Sequence, residues 1–204
     1  MFAGVPVGIT QRGDVVVFAL VGANFVFGGQ PGQGKSNVAR VVMAGAALDP
    51  LAELRVHVFA NNGDFDAYQR RLSRYHKGAS PEHAELATEH LRELFEEVGR
   101  REERLSELGA KKLTRAIAAQ HPDMRPITVL FSECHELFGD PTCGELAADL
   151  AIRTAKRGRK TGITLGFDTQ SSRTDAIPSQ LVENVGHQRL FLGQDLAQQR
   201  RVPR

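Results

Sequence analysis

The chain has 204 residues, enough for one α/β domain with a real core and too few for two domains of ordinary size. With 41% apolar and 25% charged residues it reads as globular rather than disordered, and a net charge of +2 gives bulk electrostatics no case for nucleic acid, so any such case rests on local sites. No apolar run approaches the roughly 18 residues of a membrane span, and the N-terminus lacks a basic start followed by an apolar stretch, so the expected location is cytoplasmic.

From the N-terminus, Val5 to Leu20 predicts a small antiparallel hairpin turning at Gln11-Arg12-Gly13-Asp14. A strand over Asn24 to Phe27 then leads into a glycine loop, and the Val-, Ala- and Met-rich stretch Ser36 to Ala47 predicts a buried helix directly after it. Arg55 to Phe59 predicts the next strand. Ser80 followed by Pro81 predicts the N-cap and first turn of a long helix, in which Leu91, Leu94, Phe95, Val98, Leu105 and Leu108 recur at three- and four-residue steps. Gly99 and Gly109 are expected to interrupt it. Ile127 to Phe131 predicts a strand, Glu145 to Arg157 a helix and Ile163 to Phe167 a further strand. These strands are apolar without clean alternation, the pattern of a parallel sheet buried on both faces, and the helices between them supply the crossovers. The predicted fold class is α/β: a doubly wound or RecA-like, mainly parallel sheet with a small N-terminal hairpin. Cys134 and Cys143 have no metal-ligand spacing and read as reduced thiols.

Gly29-Gln30-Pro31-Gly32-Gln33-Gly34-Lys35-Ser36 fits G-x-x-x-x-G-K-[ST] between a strand and a helix, the context a phosphate-binding loop requires. Its backbone N–H groups and the helix N-terminus suit phosphates, Lys35 reaches the β and γ oxygens, and Ser36 ligates Mg²⁺, so ATP and Mg²⁺ are the expected cofactors. A second apolar strand ends in Phe131-Ser132-Glu133. Glu133 is the candidate base for the attacking water, at the strand end where open α/β sheets bind ligands. Ser132 stands where such sites usually carry a Mg²⁺-organising Asp; a hydroxyl can hold a metal-bound water but brings no charge. The strand from Ile163 ends in Asp168-Thr169-Gln170, where Gln170 is a candidate γ-phosphate sensor. A P-loop kinase would want a second substrate pocket and a lid, and the Lys111-Lys112 to Arg115 segment makes a poor case for either.

The phosphate loop, Phe131-Ser132-Glu133-Cys134-His135-Glu136-Leu137-Phe138 and Gly162-Ile163-Thr164-Leu165-Gly166-Phe167-Asp168-Thr169-Gln170, in that order, resemble the FtsK/SpoIIIE branch of the FtsK–HerA ATPases. FtsK-like proteins of conjugative plasmid transfer are the nearest in look. The resemblance runs to about Val185 and includes Val5-Pro6-Val7-Gly8-Ile9. It implies a RecA-like core, ATP and Mg²⁺, a homo-hexameric ring on double-stranded DNA, and translocation driven by hydrolysis. It also implies that Arg159 can lie near a neighbouring subunit's nucleotide; the alternative is that Arg159, with Lys156, Arg157 and Lys160, forms a solvated basic helix end. A hydrolysis-deficient, nucleotide-binding interaction module is the competing function.

Residues 1–185 thus read as one ATPase domain and 186–204 as an atypical, Gln- and Arg-rich tail. Back-translated with suitable synonymous codons and read one base later, the tail gives VTNACSWVKTWRSNDGFL, which looks like the family's continuation. The expectation is a frameshifted, truncated C-terminus, with a natural short tail as the alternative, and the gene's nucleotide sequence at codons 185 to 204 would decide between them.

Overall fold

The computed structural model describes residues 1–29, 32, 34–170 and 176–185 and the backbone of 189–192. Gln30, Pro31 and Gln33 of the phosphate loop, and most of the 186–204 tail, lie outside the described residues. The chain opens with an antiparallel hairpin, β1 (Val5–Ile9) and β2 (Val15–Phe18), whose turn is closed by the Thr10 N–H donating to the Asp14 carbonyl. Six parallel strands follow in one sheet: β3 (Phe25–Gly29), β4 (Glu53–Val58), β5 (Arg74–Lys77), β6 (Ile127–Ser132), β7 (Ile163–Thr169) and β8 (Arg189–Leu192). Their order is β5-β4-β6-β7-β3-β8.

Successive side chains of a strand face opposite ways, and the core divides accordingly. On one face Val129, Phe131, Leu165 and Phe167 pack under three helices, α2 (Pro81–Glu107), α5 (Gly144–Gly158) and α6 (Ser179–Asn184). On the other, Phe25, Phe27, Leu54, Val56 and Leu130 pack under α1 (Lys35–Ala47) and the hairpin. Two shorter α-helices, α3 (Arg115–Gln120) and α4 (His135–Phe138), and two 3-10 turns, Asp66–Arg71 and Pro122–Met124, complete the elements among the described residues. No helix among the described residues is long and apolar enough to cross a membrane.

The predicted α/β class, the hairpin and the Ser80-Pro81 start of α2 are all present; the Ser80 hydroxyl accepts the His83 N–H at 3.3 Å. Gly99, expected to interrupt α2, does not. One helical glycine costs about 1 kcal/mol, and the burial of Leu94, Val98 and Leu105 on either side outweighs it. Gly109 does end the helix, at φ +63°, a left-handed turn that suits glycine. Two strands were not expected. β5 reads Arg74-Tyr75-His76-Lys77, a polar sequence at the sheet's edge. β8 lies in the tail, where composition predicted no strand; the short run Leu190-Phe191-Leu192 is enough for four residues to pair alongside β3.

The central strands come close to their neighbours at Gly166 of β7, where an added Cβ would sit 2.0 Å from the Phe25 ring. Gly166→Ala should therefore overpack the interface between β7 and β3 and cost about 1–3 kcal/mol, read as a lower urea midpoint.

A chain of buried imidazoles ties β4 to α2. Arg55 Nη1 lies 2.8 Å from His90 Nε2, His90 Nδ1 lies 2.8 Å from His57 Nε2, His57 Nδ1 lies 3.1 Å from His83 Nε2, and His83 Nδ1 lies 2.6 Å from the Gly78 carbonyl oxygen. A guanidinium can only donate, so the direction of every bond follows: each neutral ring accepts at one nitrogen and donates from the other.

Candidate functional site

The site lies where the C-terminal ends of β3, β6 and β7 meet the start of α1. β3 ends at Gly29, Gly34 takes the left-handed turn at φ +86° that caps α1, and Lys35 and Ser36 begin the helix. Gly32 is exposed and also left-handed, at φ +81°. Lys35 is only 3% exposed and points into the sheet edge. Its Nζ donates to Glu133 Oε1 and, at 2.8 Å, to Asp168 Oδ1. The helix-entry geometry thus delivers one cation to two carboxylates from adjacent strands.

Ser132 and Asp168 are direct partners in the ladder between β6 and β7. The Ser132 hydroxyl donates to Asp168 Oδ1 at 3.1 Å, and the Glu133 N–H donates to the same oxygen at 3.1 Å. Asp168 Oδ2 is buried and has no hydrogen-bond partner among the described residues. Burial pushes the Asp168 carboxyl above its ordinary range, against the pull of Lys35. Burial also acts to lower Lys35, but Asp168 and Glu133 outweigh it and hold the ammonium above its ordinary value.

Glu133 has φ +56°, the one positive value among the described non-glycine residues. A side chain in that region costs of order 1–3 kcal/mol, and such strain persists where surrounding contacts over-determine it. Here they do: the Gln170 N–H donates to Glu133 Oε2 at 3.0 Å, and His135 Nδ1 lies 3.5 Å from that same oxygen. His135 Nδ1 also lies 3.0 Å from Thr169 Oγ1. The neighbouring Cys134 and the more distant Cys143 are free buried thiols, and burial beside Asp168 and Glu133 pushes the Cys134 thiol well up, which keeps it protonated and unreactive.

Of the residues singled out from sequence, Lys35, Glu133, Ser132 and the backbone of Gln170 meet at one edge of the sheet, and Ser36 follows Lys35 at the start of α1. Arg159 does not join them. It sits before β7, where its Nε donates to the Gly22 carbonyl at 3.2 Å, and the strand between it and Asp168 spans roughly 20 Å at about 3.3 Å per residue. Asp168 was passed over in sequence because the segment was read for Gln170. The sequence does carry a signal: a lone carboxylate near the end of an uncharged, fully buried strand.

The FtsK/SpoIIIE family model matches residues 2–190. No curated protein matches the chain. Among solved structures, the pCW3 conjugation coupling protein TcpA, in its monomer form with ATPγS, is similar with a TM-score of 0.74 at 21% identity, over 91% of this chain and 53% of that one. Thermomonospora curvata EccC (ATPases 2 and 3), in complex with a signal sequence peptide, gives 0.75 at 17% identity over 94% and 36%. The cytoplasmic domain of EssC gives 0.73 at 16% identity over 93% and 37%. At these identities the likeness shows the fold, and the chain spans about half of the TcpA chain and little more than a third of the other two. The strand–loop–helix at Gly29 to Ser36, a parallel sheet flanked by helices and a family match across nearly its whole length lead to one assignment: the chain belongs to the FtsK/SpoIIIE family.

Proposed function

We propose that this chain is an ATP-hydrolysing motor domain acting on double-stranded DNA, working as a homo-hexamer. The observation that carries the reading is Lys35 held at the start of α1 between Glu133 and Asp168, the arrangement of a phosphate-binding lysine facing the acidic ends of the central strands. TcpA, a conjugation coupling protein solved with ATPγS, supports the nucleotide side of this reading, and the resemblance to DNA translocases of the family motivates the DNA side.

The residues present suit Mg²⁺. The donors at the sheet edge are hard oxygens, the hydroxyls of Ser36 and Ser132, and Asp168 Oδ2 is a buried anionic oxygen without a partner among the described residues. When bound with nucleotide, Mg²⁺ would neutralise charge on the β and γ oxygens. The loop N–H groups and Lys35 hold the phosphates, Glu133 takes the proton of the attacking water, and Gln170, whose N–H already holds Glu133 Oε2, reports the γ-phosphate to β7. In this reading Arg159, remote from its own loop, acts on a neighbouring copy's nucleotide.

ATPase activity with and without duplex DNA tests this directly: DNA should stimulate turnover, and absence of any turnover would remove the motor reading. Glu133→Gln should lower hydrolysis at least about 100-fold while leaving nucleotide affinity within about threefold, since the amide keeps shape but takes no proton. Turnover within a few-fold of the parent would require another base.

A second reading, a nucleotide-binding module that does not turn over, is favoured by Ser132, which leaves β6 without a carboxylate at this position. It expects tight nucleotide binding with turnover no higher than that of Glu133→Gln.

A further inference from the structure

We propose that Asp168 supplies, from β7, the cation-facing carboxylate that β6 lacks at Ser132. The inference rests on the nucleotide site above and assigns its metal side to a residue outside the Gly29 to Ser36 motif.

Register makes the exchange possible. Ser132 and Asp168 are paired across a parallel ladder, and paired residues of neighbouring strands carry their side chains on the same face, about 4.8 Å apart. A carboxylate on either strand therefore addresses the same space beyond the sheet edge. Hydrogen bonding then aims it. Oδ1 is occupied three times, by Lys35 Nζ, the Ser132 hydroxyl and the Glu133 N–H. Oδ2 is left buried and unsatisfied among the described residues, a state that is costly for an anionic oxygen unless a further group completes it.

Charge balance says what that group is. In the structure a single ammonium faces two carboxylates, Glu133 and Asp168. A bound nucleotide recruits Lys35 to its phosphates, and both carboxylates then lose their counter-charge next to further negative charge. A divalent cation restores the balance, and an oxygen-only donor set selects Mg²⁺ over softer metals. Ser132 acts through Asp168 as a positioning residue, its hydroxyl proton fixing which carboxylate oxygen stays free.

The test uses the full chain and a fluorescent ATPγS analogue, with affinity measured by anisotropy in EDTA and across a Mg²⁺ titration. Asp168→Asn retains an acceptor for Ser132 and the Glu133 N–H and leaves Lys35 one partner, so it should fold, as a melting curve will show. In EDTA its nucleotide affinity should match the parent within about threefold, whereas the Mg²⁺-dependent gain should shrink at least about tenfold. Two double variants check the relocation. Asp168→Ala with Ser132→Asp, which returns the carboxylate to β6, should recover the Mg²⁺ dependence, and Asp168→Ala with Ser132→Ala should not; this pair decides the matter if Asp168→Asn does not fold. Equal Mg²⁺ dependence in the two double variants, or an undiminished gain in Asp168→Asn while Lys35→Ala abolishes binding, overturns the assignment of Asp168 and leaves the nucleotide site standing. A parent chain that binds no nucleotide overturns both.

Discussion

Lys35→Ala is expected to abolish measurable nucleotide binding and, separately, to lower the stability of the free protein by about 3–5 kcal/mol. The first effect follows from removing the charge that meets the phosphates, where each charge-assisted contact contributes about 1.5–3 kcal/mol. The second follows from what the lysine holds when no nucleotide is present: Glu133 and Asp168 are 6% and 1% exposed, and without Lys35 they are left as two buried carboxylates with no cation between them. Denaturant midpoints and anisotropy separate the effects. Adding Asp168→Asn to Lys35→Ala removes one of the stranded charges, so it should return part of the lost stability and none of the binding. A double variant as unstable as the single one would show that the lysine's contribution to the fold is packing rather than charge.

Acidification should unfold the protein steeply. In the imidazole chain from Arg55 to Gly78 every ring must be neutral, because a second proton on any of them would set two N–H groups against each other. Burial, with the neighbouring His90, His83 and His76, pushes His57 well below its ordinary range; burial with Arg74 and Arg55 pushes His90 down to about 2; burial lowers His83 as well. The unfolded chain takes up protons near the ordinary histidine value of 6.5 while the folded one does not. Stability is therefore fully present above that value and is lost as pH falls below it. His57 and His90, both fully buried, together account for about 2–3 kcal/mol per pH unit, with His83 adding to the slope. Urea midpoints from neutral pH down to about 5 should show this decline, and a flat profile over that range would mean that the rings titrate freely in the fold.

The sequence made the expected phosphate side of the site readable because its motif is contiguous: eight residues from Gly29 to Ser36 carry the glycine loop, the cation and the expected metal-binding hydroxyl in one run. Glu133 was readable for a related reason, being the acid that closes an apolar strand. What joins Lys35 and Glu133 to Asp168 was not, since it depends on β7 lying between β3 and β6 in register, a fact of sheet order that no local pattern encodes. β5 escaped because an edge strand faces solvent, and Arg74-Tyr75-His76-Lys77 carries the charges that edges carry to resist pairing with other chains. The imidazole chain escaped because His57 lies on β4 while His83 and His90 lie on α2, far along the chain, and they meet only when α2 packs over β4.

The sheet order also sets a timetable for assembly. β3, which delivers the phosphate loop, is made early, yet the strands that flank it come from much later in the chain: Phe25 pairs with Gly166 in β7 and Val26 with Arg189 in β8. Closing such long loops is entropically slow, and topologies rich in distant pairings fold more slowly than those built from local ones. During synthesis β3 must wait beside α1 and the hairpin, with the apolar edge facing β7 uncovered, until β7 and β8 have left the ribosome. The meeting of Lys35, Glu133 and Asp168 therefore waits for β7, the strand that joins β3 to β6.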